Sequence, residues 1–586
     1  MSQNLFEELN KQQQDAVTYV KGPSIILAGA GSGKTRVLVF KVLNLIQNQH
    51  VPSHEIVMIT FTNKAASEMK ERMGVKKLGY VGTFHSFCCQ ILRRDGYHNG
   101  IDPEFAIFDA DDQLTLMKKL VKRLETKRYT PSFFLSRISA AKNHYVMPDR
   151  YLELFGDYSA SLVAEVYAEY EKELKKNNAL DFDDLILKVV GMFLKQKHIL
   201  EKYQNKYKYL LVDEFQDTNY IQYLLSKLLA EKYKNITAVG DFSQSIYSWR
   251  GADMKNLEKF KEDFPKTKIF HLEQNYRSTQ TILDFAYQVI TKNQTHPVLD
   301  LFTKNGSGDA VEFYQAENEE EEAVFIANKI KYLNDRLSFP SFAVLYRTNA
   351  QSRVIEESFL NYSLPYVLIG GTRFYERKEV KDVLSYLRII ANSKDEVSQE
   401  RIQKLGKKRY KDFMDFAEKK RDQLQKLDTA ELMEKIFEKT QYLGLYSPDD
   451  EEDFARLENI KELKSVAMRF TKLQDFLEQV ALVESEYFEG EKRSDSKNGI
   501  RLMTLHQAKG LEFPVVFIVG VEEGLLPHAR SLDDQFSLEE ERRLFYVGIT
   551  RAKQRLFITY TNRRFIFGHS NYSIKSRFLE EDEATF

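Results

Sequence analysis

The sequence predicts an α/β protein of two lobes with mostly parallel sheets, each lobe interrupted by a helical insertion. Apolar strand-like runs alternate with amphipathic helical stretches from Ser24 onward, which is the pattern of a parallel sheet. That alternation lapses into charged helical sequence from about Ile107 to Asn178, and a second alternation lapses in the same way from about Ile390 to Asn498. At 586 residues the chain is too long for one hydrophobic core, and domain-size scaling suggests about three or four compact units.

Taken in order, "SIIL" is a short buried strand, "AGAGSGKT" (Ala28 to Thr35) a glycine-rich turn and "RVLVFKVLNLI" a helix. "EIVMITFT" is a second buried strand and "NKAASEMKERM" its helix. The first insertion carries "DDQLTLMKKLVKRL" and "SLVAEVYAEYEKELKKN", after which strands return at "KYLLVDE" and "NITAVGD". A second alternation runs from "KIFHLEQN" through "FAVLYRTNAQSRVIEESFL" to about Leu387, and resumes at "GIRLMTLH", "PVVFIVGV" and "RLFITYT". "GEKRSDSKNG" (Gly490 to Gly499) has the composition of a mobile connector. The expected boundaries are 1–107 and 179–278 for the first lobe, 108–178 for its insertion, 279–388 and 499–586 for the second lobe, and 389–498 for its insertion.

Composition narrows the classes. No apolar run approaches the roughly 20 residues that span a bilayer, and the N-terminus lacks a basic start followed by an apolar stretch, so a cytoplasmic protein without a membrane partner is expected. The two cysteines, Cys88 and Cys89, are adjacent, which suits neither a disulfide framework nor zinc or iron–sulfur ligation. Any metal is expected on oxygen ligands. With 85 basic against 86 acidic residues, a polyanion site must be local.

"AGAGSGKT" fits a P-loop with Ala28 in place of the usual first glycine. Small residues at Gly29, Ala30, Gly31, Ser32 and Gly33 let backbone N–H groups wrap phosphates, Lys34 reaches the β/γ oxygens and Thr35 can ligate Mg²⁺. The following helix adds its positive N-terminal end. In "YLLVDEFQDTN" an apolar strand ends in Asp213 and Glu214, at the sheet edge where ligands bind in open α/β folds. Asp213 is expected to hold Mg²⁺ and Glu214 to polarise the attacking water. Arg277 in "LEQNYRS" and Arg551 in "YVGITRAK" are candidates for neutralising the γ-phosphate. Both are read as lying in the second lobe, so if they reach a nucleotide held by the first lobe, its binding is expected to close a cleft.

The strings "LNKQQQDAV", "AGAGSGKTR", "ITFTNKAASEM", "GTFHSF", "LDFDDL", "VDEFQDTN", "VGDFSQSIYSWRGA", "LEQNYRS", "VLYRTNAQSR", "LMTLHQAKGLEFPVV" and "RRLFYVGITRAK" resemble, in order, the motifs of the UvrD/Rep/PcrA group of superfamily 1 DNA helicases. They run from Leu9 to Lys553. The resemblance implies two RecA-like P-loop NTPase lobes that bind ATP and walk 3′ to 5′ along single-stranded DNA, each lobe with an inserted helical subdomain. It implies that Gln13 reads the adenine edge, Tyr276 stacks on the base and Arg36 flanks it. Gln244 senses the γ-phosphate beside Arg277 and Arg551, and Glu512 touches the ribose.

A track for single-stranded DNA wants aromatic faces for bases and small polar or basic groups for phosphates. "SIYSWRGA" groups Tyr247, Trp249 and Arg250, "TFTN" adds Phe61 and Asn63, and "TFHS" adds Thr83 and His85. In the family, positions matching Phe61, Tyr247, Trp249, Arg250 and His506 line the DNA channel or couple it to ATP. Trp249 follows Gln244 by five residues, so one loop can feel both the γ-phosphate and a base. Asn63 and Lys64 open a helix whose N–H groups contact phosphate without reading sequence.

The chain departs from the family at the second insertion. It is short, and "ANSKDEVSQERIQKLGKKRYKDF" lacks the proline- and glycine-bearing motif usual there, although "RLENIKEL" matches. The expected activity is an ATP- and Mg²⁺-dependent 3′–5′ helicase or translocase acting on single-stranded and 3′-tailed duplex DNA. The resemblance implies roles in DNA repair or replication, with proteins of those processes as partner candidates. The alternative is a translocase, or a helicase–nuclease-type motor subunit, that unwinds only with a partner. Little sequence follows "SIKSRFLEE" that could house a nuclease or a docking tail. A non-catalytic scaffold on this fold would show damage at Lys34, Asp213, Glu214, Arg277 or Arg551, and all are present.

Overall fold

In a computed structural model, the chain is described over residues 6–580, apart from 75–77, 127, 449, 494–497 and 567–568. It divides into two compact units, Met1–Arg277 with Ile290–Asn305, and Ser278–Val289 with Gly306–Phe586.

The first unit contains the strands β1 (Ser24–Ala28), β2 (Ile56–Thr60), β3 (Tyr80–Thr83), β4 (Ala106–Phe108), β5 (Ala179–Asp181), β6 (Tyr209–Val212), β7 (Ile236–Gly240), β8 (Lys268–Leu272), β9 (Gln274–Asn275) and β10 (Phe302–Thr303). Six of them form an all-parallel sheet in the order β3-β2-β6-β7-β1-β8. The β1 and β2 side chains alternate between two cores. Ile25, Leu27, Val57 and Ile59 enter one, and Ile26, Ala28, Ile56 and Met58 enter the other with Val37, Leu38 and Val42 of the helix Lys34–Gln47. A sheet covered on both faces explains the continuous apolar runs of the sequence. All six strands being parallel, the loops after β1, β2, β3, β6 and β7 leave from one edge.

β4 and β5 pair with each other as a parallel two-stranded neck, Phe108 opposite Asp181, from which the first insertion rises. Its helices Ala110–Arg123, Pro131–Asn143 and Ala160–Lys176 enclose a separate core around Met117, Phe134, Ile138, Val163, Tyr167 and Tyr170.

The second unit has the strands β11 (Glu312–Ala316), β12 (Phe342–Tyr346), β13 (Tyr366–Leu368), β14 (Ile500–Thr504), β15 (Phe513–Ile518) and β16 (Ala552–Thr561), again all parallel, in the order β11-β16-β15-β12-β14-β13. Its helical insertion has its own core, which already includes Val380, Leu384 and Leu387 of the helix Lys378–Ala391 and continues to Val483. Arg353 Nε reaches Glu462 at 2.7 Å and Arg377 Nη1 donates to Asn459 Oδ1 at 2.8 Å, tying "RLENIKEL" to the sheet-bearing part of the same unit.

Two expectations are corrected. "KIFHL" does not begin the second alternation: it is β8, the edge strand beside β1, because its backbone completes the first sheet from Ser24↔Lys268 to Ala28↔Leu272. The connector expected at Gly490–Gly499 is partly helix, since the helix Leu473–Arg493 runs into it; residues 494–497 lie outside the described ones.

Lys41 shows how the first helix is fastened. Its buried Nζ donates to the carbonyls of Ala16 at 2.8 Å and Tyr19 at 2.6 Å, at the end of the helix Lys11–Thr18. Burial lowers its pKa to about 7, and a neutral amine has two N–H donors for these two carbonyls. The unfolded chain therefore holds a proton that the folded chain lacks from about pH 7 to the ordinary lysine range. Stability accordingly rises with pH through that window, by at most about 1.4 kcal/mol per pH unit for one proton. Comparing urea midpoints of the wild type and Lys41→Met from pH 7 to 10 should show this rise in the wild type and its loss in the variant.

Candidate functional site

The P-loop follows β1 directly. Gly31 and Gly33 sit at φ +65° and +84°, a region glycine enters without strain. A Cβ on Gly31 would lie 2.7 Å from Asn275 Nδ2 and 2.8 Å from Arg277 Cβ, so the loop admits no side chain there. Asn275 Nδ2 donates to Ala30 O at 2.7 Å, the Tyr276 N–H donates to Gly31 O at 3.0 Å, and Ser32 Oγ donates to Gly29 O at 2.8 Å. The loop's carbonyls are thus turned into the protein. Lys34 and Thr35 open the helix Lys34–Gln47, whose first N–H groups have no carbonyl within the helix and form an anion-binding end.

β6 brings Asp213 and Glu214 to the same edge. Lys34 Nζ stands 3.6 Å from Glu214 Oε2. Asp213 is buried and its Oδ1 has no hydrogen-bond donor. Burial, followed by the Glu214 charge, pushes the Asp213 carboxyl up to about 7 against the opposing pull of Lys34. A buried carboxylate oxygen lacking a donor, with the Thr35 hydroxyl as a further hard oxygen ligand, is a donor set that fits Mg²⁺. Glu214 itself holds φ +50°, unusual for a non-glycine residue and characteristic of functional turns.

Behind these carboxylates Gln216 works as a bridge. Its Nε2 donates to Glu214 Oε2 at 2.6 Å, and its Oε1 accepts the Asp241 N–H at 3.0 Å. Asp241, at the end of β7, accepts from Gln244 Nε2 at 2.5 Å, and its carboxyl is raised by burial. Ser243 Oγ lies 3.1 Å from His296 Nε2. Glu214, Asp241 and Gln244 therefore form one hydrogen-bonded series from β6 to β7.

Gln13 is buried, its Nε2 donating to Ser32 O at 3.0 Å and its Oε1 accepting the Asn10 N–H at 3.1 Å. Tyr276, directly after the loop's partner Asn275, is 47% exposed, and its hydroxyl accepts from Asn10 Nδ2 at 2.8 Å. Arg36 pairs with Glu8 at 2.6 Å on the surface. Arg277 is in the first unit, its N–H held by Asn275 Oδ1 at 2.7 Å. Its motif follows the edge strand β8 rather than opening the second sheet.

In the second unit Arg551 is 1% exposed and donates to Val547 O at 2.9 Å, Leu511 O at 3.2 Å and Thr550 Oγ1 at 2.9 Å. Glu512 meets Lys553 Nζ at 2.6 Å. His506 lies half-buried in the turn after β14, where Thr504 caps Gln507 and Gln507 Nε2 donates to Gly370 O at 2.9 Å.

The remaining candidates of the first unit lie on the loops after β2, β3 and β7. Phe61 packs edge-on to Phe84, and exposed Asn63 begins the helix Asn63–Met73, with Thr62 as its cap. The Thr83 hydroxyl caps the helix Phe84–Asp95 by accepting the Ser86 N–H at 3.3 Å, and so has a structural task of its own. His85 meets Phe182 edge to face, and burial lowers its pKa. Trp249 is 47% exposed, with Arg250 over its ring at 4.4 Å and Tyr247 at 6.4 Å between centroids. Gln216, Asp241 and Asn275 were inside the quoted motifs but carried no signal in spacing alone.

Residues 9–265 match the family model of the UvrD/REP helicase N-terminal domain, and residues 270–413 and 402–563 match that of the UvrD-like helicase C-terminal domain. Among curated relatives, the chain is 42% identical to the ATP-dependent DNA helicase PcrA of Bacillus subtilis, across 99% of this chain and 86% of the relative. It is 40% identical to the proteins of that name in Staphylococcus epidermidis and Staphylococcus aureus, across 98% of this chain and 86% of each relative. The B. subtilis match extends over 639 aligned positions although the chain has 586 residues, so the relative has segments that this chain lacks. The C-terminal model matches in two pieces overlapping at 402–413, which places a discontinuity in the second helical insertion.

Gln216→Leu removes both hydrogen bonds of the bridge while leaving the P-loop intact. Its nucleotide hydrolysis should fall about ten-fold, with nucleotide affinity within about two-fold of wild type. Steady-state hydrolysis with a fluorescent-nucleotide titration measures the two separately.

Proposed function

Because this chain belongs to the UvrD/REP helicase family, we propose that it is an ATP-driven DNA helicase that moves 3′ to 5′ along one strand. The observation that carries this reading is the series from Glu214 through Gln216 and Asp241 to Gln244, five residues before exposed Trp249. A change at a γ-phosphate has a short covalent and hydrogen-bonded route to a base-stacking platform.

In this reading the P-loop N–H groups and Lys34 hold the ATP phosphates. Asp213 and Thr35 hold Mg²⁺, which when bound supplies positive charge to the phosphate oxygens. Glu214 orients water, Gln244 and Arg277 sense the γ-phosphate, and Arg551 neutralises charge on it. Tyr276 stacks on adenine, with Gln13 and Arg36 near the base and Glu512 at the ribose. Tyr247, Trp249, Arg250, Phe61, Asn63, Thr83, His85 and His506 serve the DNA track through stacking and phosphate contacts, with little base specificity. The substrates are single-stranded and 3′-tailed duplex DNA in the cytoplasm, in repair or replication. Among the described residues, no helix is long and apolar enough to cross a membrane.

A second reading, a translocase that unwinds only with a partner, is favoured by the discontinuity in the second insertion. Duplexes with a 3′ or a 5′ single-stranded tail separate the two. The helicase reading predicts ATP-dependent unwinding of the 3′-tailed substrate alone, abolished in Lys34→Ala. DNA-stimulated hydrolysis without unwinding would establish the second reading, and absence of DNA stimulation would overturn both.

A further inference from the structure

The first insertion contacts the segment on which the Trp249 loop lies. Its helix Pro131–Asn143 ends with Asn143, whose Oδ1 accepts from Asn219 Nδ2 at 2.7 Å. Asn219 is the cap of the helix Tyr220–Ala230, accepting the Gln222 N–H at 3.0 Å, and it makes a backbone bridge to Ala252. Gly251 closes the Trp249 turn at φ +85°, and a Cβ there would lie 3.7 Å from Asn219 Cβ and 3.8 Å from Asn143 Cβ. Asn143, Asn219 and Gly251 thus meet at one point.

That point is the far anchor of the loop. At the near end Ser245 Oγ donates to Gln216 O at 3.1 Å; at the far end the Asp253 N–H and Asn256 Nδ2 donate to Thr218 O at 3.0 and 2.8 Å. The segment Gln216–Asn219, directly after Glu214, is therefore the bed on which the Trp249 loop lies.

Asn143 cannot slide away from this contact. The neighbouring Lys142 is fully buried and meets Asp181 at 2.8 Å, Asp184 at 3.0 Å and Glu171 at 2.7 Å. Asn143 Nδ2 donates to Ser139 Oγ at 3.4 Å, one turn back in the same helix. Withdrawing a buried cation from three carboxylates leaves charges unpaired, so this helix end is a fixed stop.

We propose that Asn143 is a positioning residue: by holding Asn219 it fixes the far end of the Trp249 loop, and so sets the DNA concentration at which contact with Trp249 accelerates hydrolysis at Glu214. This rests on the reading of the Trp249 loop as a DNA contact. It gives the first insertion a part in coupling, through a single side-chain contact with the bed of the loop.

The test is ATP hydrolysis by the full chain with and without oligothymidylate, for Asn143→Ala, Asn219→Asp and the double variant. Asn219→Asp keeps an oxygen to cap its helix and replaces the amide donor that Asn143 needs. Each single variant should raise the oligothymidylate concentration for half-maximal stimulation about five-fold, the scale of one lost hydrogen bond, with the DNA-free rate and the KM for ATP unchanged. The double variant should be no worse than either single one. Normal stimulation in both single variants, additive effects, or equal losses of the DNA-free and DNA-stimulated rates would overturn the proposal, the last revealing a plain structural strut. Trp249→Ala run alongside distinguishes the failures. If it is stimulated normally, the loop reading falls and the inference with it; if it alone is impaired, only the inference falls.

Discussion

The Gln216 side chain, held between the Glu214 carboxylate and the Asp241 backbone, is the joint on which the first unit's site depends. One amide faces both ways: its nitrogen restrains the Glu214 carboxylate, and its oxygen fixes the strand end from which Gln244 and Trp249 follow. A Cβ on Gly240 would come 2.5 Å from Gln216 Oε1, so glycine at the end of β7 is what lets the amide pass. The parallel sheet makes this bridge feasible, because β6 and β7 are neighbours and end on the same edge.

Around that joint the site is built from groups whose partners are charged or incomplete. Asp213 is buried with one oxygen lacking a donor, Lys34 faces Glu214 across 3.6 Å, and Glu214 is held in a left-handed conformation. Buried charge without full pairing is costly unless a ligand completes it, which is the ground for proposing a phosphate and a cation at this edge. Arg551 is different. Its guanidinium is buried against Val547, Leu511 and Thr550 within its own unit, which fixes its orientation through backbone carbonyls.

Much of this was legible in sequence because the informative signals were local. A strand, a glycine-rich turn and a helix follow one another without a gap from Ser24 to Gln47, so phosphate binding could be read without tertiary knowledge. Asp213 and Glu214 were equally plain at the end of an apolar run. "KIFHL" was misplaced because periodicity identifies a strand but not the sheet it joins, and β8 lies next to β1 through a pairing about 240 residues distant. Gln216, Asn143 and Asn219 were silent for the same reason: each matters through a hydrogen bond across the fold, and a polar side chain in a loop looks alike whether it is solvated or bridging. The second insertion's short length was visible in the sequence, and the split family match falls there.

In the proposed mechanism one loop joins the γ-phosphate to the grip on DNA, and Trp249, the only tryptophan in the chain, reports on it directly. We would titrate single-stranded DNA while following tryptophan emission, first without nucleotide and then with a non-hydrolysable ATP analogue. Quenching is expected as bases stack on Trp249, with a midpoint that shifts when the analogue is present and a shift that is lost in Gln244→Ala. Emission indifferent to DNA, or a midpoint unmoved by nucleotide, would contradict that mechanism.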